Sequence, residues 1–164
     1  MRLPPSLLLA TLLAACAEAG REEPPESASA PDTQVAVWFS RGEAPVAVER
    51  RVPEPTPEAA LSALLAGPSE AERTAGVGSW FSAETADALA GVESRDGFLV
   101  VGFSGLSQRI PGAGSSAGSA QLLAALDSTV FQFPDVDSVE YRLDGSCEAF
   151  WGWLQRECRV VKRP

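Results

Sequence analysis

The chain has 164 residues, 45% of them hydrophobic, with 22 acidic against 13 basic side chains, a net charge of −9 and no histidine. That acidity repels nucleic-acid phosphates and anionic lipid headgroups, and the missing histidine excludes Ser-His-Asp and Cys-His catalytic arrangements. The apolar content is enough for the core of one domain.

Arg2 precedes an apolar run over residues 7–13, which ends in Leu13-Ala14-Ala15-Cys16. This has the form of a lipobox, with small residues before a cysteine that is lipidated and becomes the first residue of the mature protein. Residues 1–15 therefore read as a lipoprotein signal peptide and Cys16 as the site of lipid (palmitate) attachment. The run falls short of the ~20 apolar residues that span a bilayer, so the expected membrane link is the lipid itself. The expected address is the outer face of the cytoplasmic membrane, or the outer membrane if the source has one. Residues 16–33 hold the lipidated cysteine and a stretch rich in Glu, Pro, Ala and Ser, read as a disordered tether with a reach of roughly 20–25 Å.

The domain is expected over residues 34–164. Val35, Val37 and Phe39 alternate on one face of a strand, and residues 46–52 read as a second. Thr56-Pro57 opens a helix as N-cap and first helical residue, with Ala60, Leu61, Leu64 and Leu65 as its buried stripe and Gly67-Pro68 as its stop. Ser69-Glu70-Ala71-Glu72 repeats a capping box. Asp96-Gly97 joins two strands, residues 92–95 and 98–103, as a hairpin. Residues 112–119 read as a flexible loop. A helix is expected over 119–132, stopped by Pro134, and Val139, Tyr141 and Leu143 alternate as a further strand. The order predicts an α+β fold with two helices on one face of a small sheet.

Cys147 and Cys158 remain as an even pair in an exported chain. Their spacing is wider than a C-x-x-C redox motif and no histidine completes a zinc site, so a structural disulfide clamping a C-terminal extension from about residue 146 is expected.

Residues 60–69 (ALSALLAGPS), 76–82 (GVGSWFS) and 129–145 (TVFQFPDVDSVEYRLDG) resemble, in order and spacing, the GerMN domain of sporulation and spore-germination proteins and other envelope lipoproteins. The chain departs from that pattern at Gly102, where an aspartate is frequent, and in the cysteine extension. The resemblance implies a fold similar to ring-building motifs and a non-enzymatic envelope role, and supplies no catalytic residue.

Gly112-Ala113-Gly114-Ser115-Ser116-Ala117 matches a phosphate-cradling G-x-G-x-x-A, but no strand precedes it, so a loop is the better reading. Asp135, Asp137, Glu140 and Asp144 fit no calcium-loop spacing and read as a solvated acidic surface. No cofactor or metal is expected. Trp38 falls on the strand face opposite Val37 and Phe39, and the segment containing Trp151 and Trp153 is a candidate lid over it. These three tryptophans are either satellite packing or an interaction surface. The expected function is a non-enzymatic envelope lipoprotein acting as a protein-interaction or assembly module. Peptidoglycan or glycan binding through the tryptophans is the alternative, and nucleic acid is not an expected partner.

Overall fold

The computed structural model describes residues 33–164. Cys16, the signal segment and the tether up to residue 32 lie outside the described residues.

The strands divide between two sheets. β1 (Thr33–Arg41) and β2 (Ala44–Val52) form an antiparallel hairpin. β3 (Leu89–Arg95), β4 (Phe98–Phe103), β5 (Ser138–Leu143) and β6 (Val161–Lys162) form the second sheet in that order, with β4 and β5 parallel and the other pairs antiparallel. The α+β class stands, with the strands in two sheets rather than one. The β3–β4 turn places both Asp96 and Gly97 at positive φ (48° and 79°), the backbone that a two-residue Asp-Gly hairpin favours.

α1 (Pro57–Leu65) begins as its sequence dictates. Thr56 Oγ1 accepts the Ala59 N–H at 3.2 Å, and Ala60, Leu61, Leu64 and Leu65 are buried. Gly67 must be glycine: its φ is +76°, and a Cβ there would lie 2.4 Å from the Phe81 carbonyl oxygen. α2 (Glu70–Thr74) carries the Ser69/Glu72 capping box. Arg50 of β2 grips Glu72 through two 2.7 Å hydrogen bonds and holds its carboxyl at a pKa of about 2. α3 (Leu106–Arg109) is a single short turn.

The loop expected over residues 112–119 is corrected. Pro111–Gly114 form a 3-10 turn and α4 runs Ser116–Val130, capped by Ser115, whose hydroxyl accepts the Gly118 N–H at 3.2 Å. Ala113 and Gly114 are buried, and a Cβ on Gly118 would meet the Gly112 carbonyl oxygen at 2.6 Å. The glycines that resembled a phosphate cradle serve close packing at the start of α4.

α4 joins the two sheets through polar side chains. Antiparallel alternation turns the N–H and C=O groups of Ala36 and Trp38 away from β2. Gln132, just past α4, accepts the Ala36 N–H (3.0 Å) and donates to the Ala36 carbonyl (2.7 Å), while Thr129 Oγ1 accepts the Trp38 N–H at 3.3 Å. The edge of β1 is thus closed by side chains where another strand would otherwise pair. Toward the other sheet, Tyr141 of β5 donates to Asp127 Oδ1 at 2.7 Å. Burial outweighs that hydrogen bond and the nearby Arg159, pushing the Asp127 carboxyl up to about 6.

α5 (Cys147–Trp153) opens on Ser146 as N-cap and packs Phe150 against Phe103 and Tyr141, with ring centroids 5.9 and 5.3 Å apart. Cys147 and Cys158 are disulfide-bonded, as expected, with Cα atoms 5.4 Å apart. Closing a loop of this length contributes about 2–3 kcal/mol in the chain-entropy account. β6 then adds a short edge to β5, and Arg163 donates to the carbonyls of Phe131, Phe133 and Val136, capping the exit of α4.

Two tests follow from α4. Gln132→Ala leaves the outward N–H and C=O of Ala36 without their partner and should lower unfolding free energy by about 1–3 kcal/mol in urea titration; an unchanged midpoint contradicts the edge closure. For Asp127, the folded pKa of about 6 exceeds the ordinary aspartate value of 3.8, so the folded state holds more protons than the unfolded state between those values. Stability should therefore rise as pH falls from about 7 to 4, by on the order of 2–3 kcal/mol, and Asp127→Asn should flatten that slope in melts across the range. Below that window Glu72 acts oppositely, because stability from its depressed pKa is lost as its carboxyl protonates.

Candidate functional site

Period-two alternation sends Val35, Val37 and Phe39 into the core and leaves Trp38 and Ser40 on the other face of β1, each partly exposed. Ser40 exchanges backbone hydrogen bonds with Gly78 (3.0 and 2.7 Å), and its hydroxyl also donates to the Gly78 carbonyl at 3.1 Å. This bridge fixes the following segment beside β1. Ser79 Oγ accepts the Phe81 N–H at 3.0 Å, Phe81 enters the core at 2% exposure, and Trp80 between them packs at the edge of the core, partly exposed. The Trp80 ring lies over Gly112, where a Cβ would sit 3.0 Å from it.

Trp38 and Trp80, separated by 42 residues in sequence, therefore line one concave cleft of about 270 Å³. Pro45 and Glu43 contribute from the β1–β2 hairpin, and Gln121, Ala124 and Ala125 of α4 contribute from the helix. The short alanine side chains leave the space that a larger residue would fill. The indole N–H groups of Trp38 and Trp80 are buried without an acceptor, so packing, not hydrogen bonding, positions both rings. Just below the ~300–1,000 Å³ typical of small-molecule pockets, the volume suits one aromatic or branched side chain, or one sugar ring.

The chemistry of the lining is that of contact. Among the described residues, Glu43 is the one carboxylate lining the cleft, so these residues do not assemble the two facing carboxylates of a glycosidase there. Among the described residues, no group of three or more His, Cys, Asp or Glu side chains is placed to hold a metal. Within the acidic group noted in the sequence, Asp144 Oδ1 accepts the Gly105 N–H at 2.9 Å and Glu140 pairs with Arg142 at 2.6 Å.

The expected surface of Trp38, Trp151 and Trp153 is not assembled. Trp151 is wholly buried, with the Arg159 guanidinium 4.6 Å over its ring. Trp153 is partly exposed, but it packs on Phe150 and against Gly114. Neither lines the cleft with Trp38, so the C-terminal segment is not its lid. The cause is helix formation: α5 directs Phe150, Trp151 and Leu154 into the core. Trp80, one of the chain's four tryptophans, more than a small domain requires, is the residue that the sequence did not place on the candidate surface. Its one signal is an aromatic between Val77 and Phe81, both buried, in a segment with no regular period.

No curated protein sequence matches the chain. Among solved structures, the tandem GerMN domains of the sporulation protein GerM from Bacillus subtilis align with 81% of this chain and 46% of theirs, at 18% identity and a TM-score of 0.55. The chain thus spans about half the length of that relative. The first GerMN domain of the same protein aligns over 69% of this chain and 84% of its own, at 19% identity and a TM-score of 0.51. At these identities the likeness is one of fold. The sequence profile of the Germane family, described as sporulation and spore germination, matches residues 30–147, and the chain belongs to that family.

Proposed function

We propose that this chain is a non-enzymatic lipoprotein of the bacterial envelope, held to a membrane through Cys16, whose domain binds a protein partner by seating an apolar or aromatic side chain between Trp38 and Trp80. The observation that carries the reading is the convergence of two indoles from separate segments on a concave surface outside the core. Large aromatic faces supply much contact area at small conformational cost, and such residues dominate binding energy at protein interfaces. The family's fold and the lipobox support the envelope setting. GerM is the sporulation protein among the relatives; for this chain, a sporulation or germination role would follow only from the partner's identity.

A glycan reading has its own support, because Glu43, Ser40, Ser79 and Gln121 place polar groups around the indoles. A single sugar ring of peptidoglycan fits the same volume.

In-cell crosslinking of the tagged chain, followed by mass spectrometry, separates the two. The protein reading expects a defined envelope protein that is lost from the crosslinked set in Trp80→Ala and Trp38→Ala while the melting temperature stays within a few degrees. Muropeptides recovered in place of a protein, together with sedimentation on sacculi that the same substitutions abolish, would transfer the cleft to wall binding. A partner retained by both variants would contradict the cleft.

A further inference from the structure

A second groove flanks α4 on the side away from Trp38. It encloses about 500 Å³, and Ala124 on the helix ridge borders both depressions. Its walls are Leu123 and Ala124 of α4, Val160 beyond the disulfide, and the guanidinium groups of Arg156 and Arg159.

The charges here run against the rest of the chain. In a protein of net charge −9, four of the 13 basic side chains lie within the last nine residues. Four other arginines are occupied: Arg50 with Glu72, Arg142 with Glu140, Arg109 with Asp87, and Arg163 with backbone carbonyls. Among the described residues, no carboxylate forms an ion pair with Arg156 or Arg159. Among the described residues, Asp127 is the one acidic side chain lining the groove, so two cations face one carboxyl.

Both arginines are also held in place. Arg159 lies on the Trp151 ring, next to the disulfide-bonded Cys158. Arg156 donates through its backbone N–H to the Trp151 carbonyl at 2.8 Å and through Nη2 to Ser119 Oγ at 3.4 Å. Beside them Val160, at 42% exposure, is the large hydrophobic side chain left open to solvent among the described residues.

We infer that this groove binds an acidic peptide segment, its carboxylates on Arg156 and Arg159 and an aliphatic side chain on Val160, Leu123 and Ala124. Guanidinium groups match carboxylates in planar, paired hydrogen bonds. A free phosphate would leave the aliphatic wall of Leu123, Ala124 and Val160 unused. The inference is independent of the Trp38/Trp80 cleft.

The test is fluorescence anisotropy of the full chain with a labelled Glu-Leu-Glu-Val-Glu peptide and its Gln-Leu-Gln-Val-Gln counterpart at low ionic strength. The acidic peptide should bind roughly tenfold tighter than the neutral one, and Arg156→Gln with Arg159→Gln should remove that advantage. A charge-matched control, Arg41→Gln with Arg95→Gln, should change affinity less than about twofold, and circular dichroism melts establish that both variants fold. Trp80→Ala should leave peptide affinity unchanged, which separates failure here from failure of the cleft. Equal loss in the control, equal binding of the neutral peptide, or full displacement by inorganic phosphate would overturn the inference. Arginine-dependent binding to phosphatidylglycerol vesicles with no peptide binding would overturn it in favour of a membrane surface.

Discussion

The structure depends on one constraint: α4 must satisfy two sheets at once. A two-stranded hairpin is marginal alone, and β1 would expose a row of backbone donors and acceptors along its outer edge. The α4 segment supplies Thr129 and Gln132 to that edge and Asp127 to Tyr141 on the other sheet. Its apolar positions Leu122, Leu126 and Val130 are wholly buried. One amphipathic helix thereby joins what would otherwise be two independent sheets. The opposite edge of β2 is managed differently, with Pro45 removing a donor and Glu49 and Arg51 placing charge along it, devices that discourage strand addition.

The surface features follow from the same helix. Because α4 presents the small Ala120 and Ala124 outward, its flanks are hollow, and the neighbouring segments set the character of each hollow. β1 and the Gly78 bridge bring indoles to one side. The disulfide-clamped tail brings arginines to the other. A larger residue at position 124 would narrow both, since that side chain borders each.

Much of the fold was legible where local rules and global packing agree. Thr56-Pro57, the Ser69/Glu72 box and Asp96-Gly97 carry their own stereochemistry, and the buried stripe of α1 follows its helical period. The separation into two sheets was not legible, because it depends on β1 ending its lateral contacts against Gln132, 96 residues away. The glycine-rich stretch before α4 reads locally as a loop, yet tertiary packing makes its small residues part of a tight turn. For the site, period two placed Trp38 correctly off the core face, while Trp80 sits where no period exists. Of the two readings open for Trp151, packing holds and surface does not, a choice that turns on recognising the short helix that carries it. The Ser146 N-cap with Glu148 in the first turn was the available signal for that helix.

Amide hydrogen exchange tests the central claim most directly, because it reads the edge of β1 one residue at a time. The outward N–H groups of Ala36 and Trp38, bonded to Gln132 and Thr129, should exchange only with global unfolding. Those of Ala47 and Glu49, which face outward on the open edge of β2, should exchange orders of magnitude faster. If Ala36 and Trp38 exchanged as fast as Ala47 and Glu49, α4 would not be closing that edge, and its role in uniting the two sheets would fall.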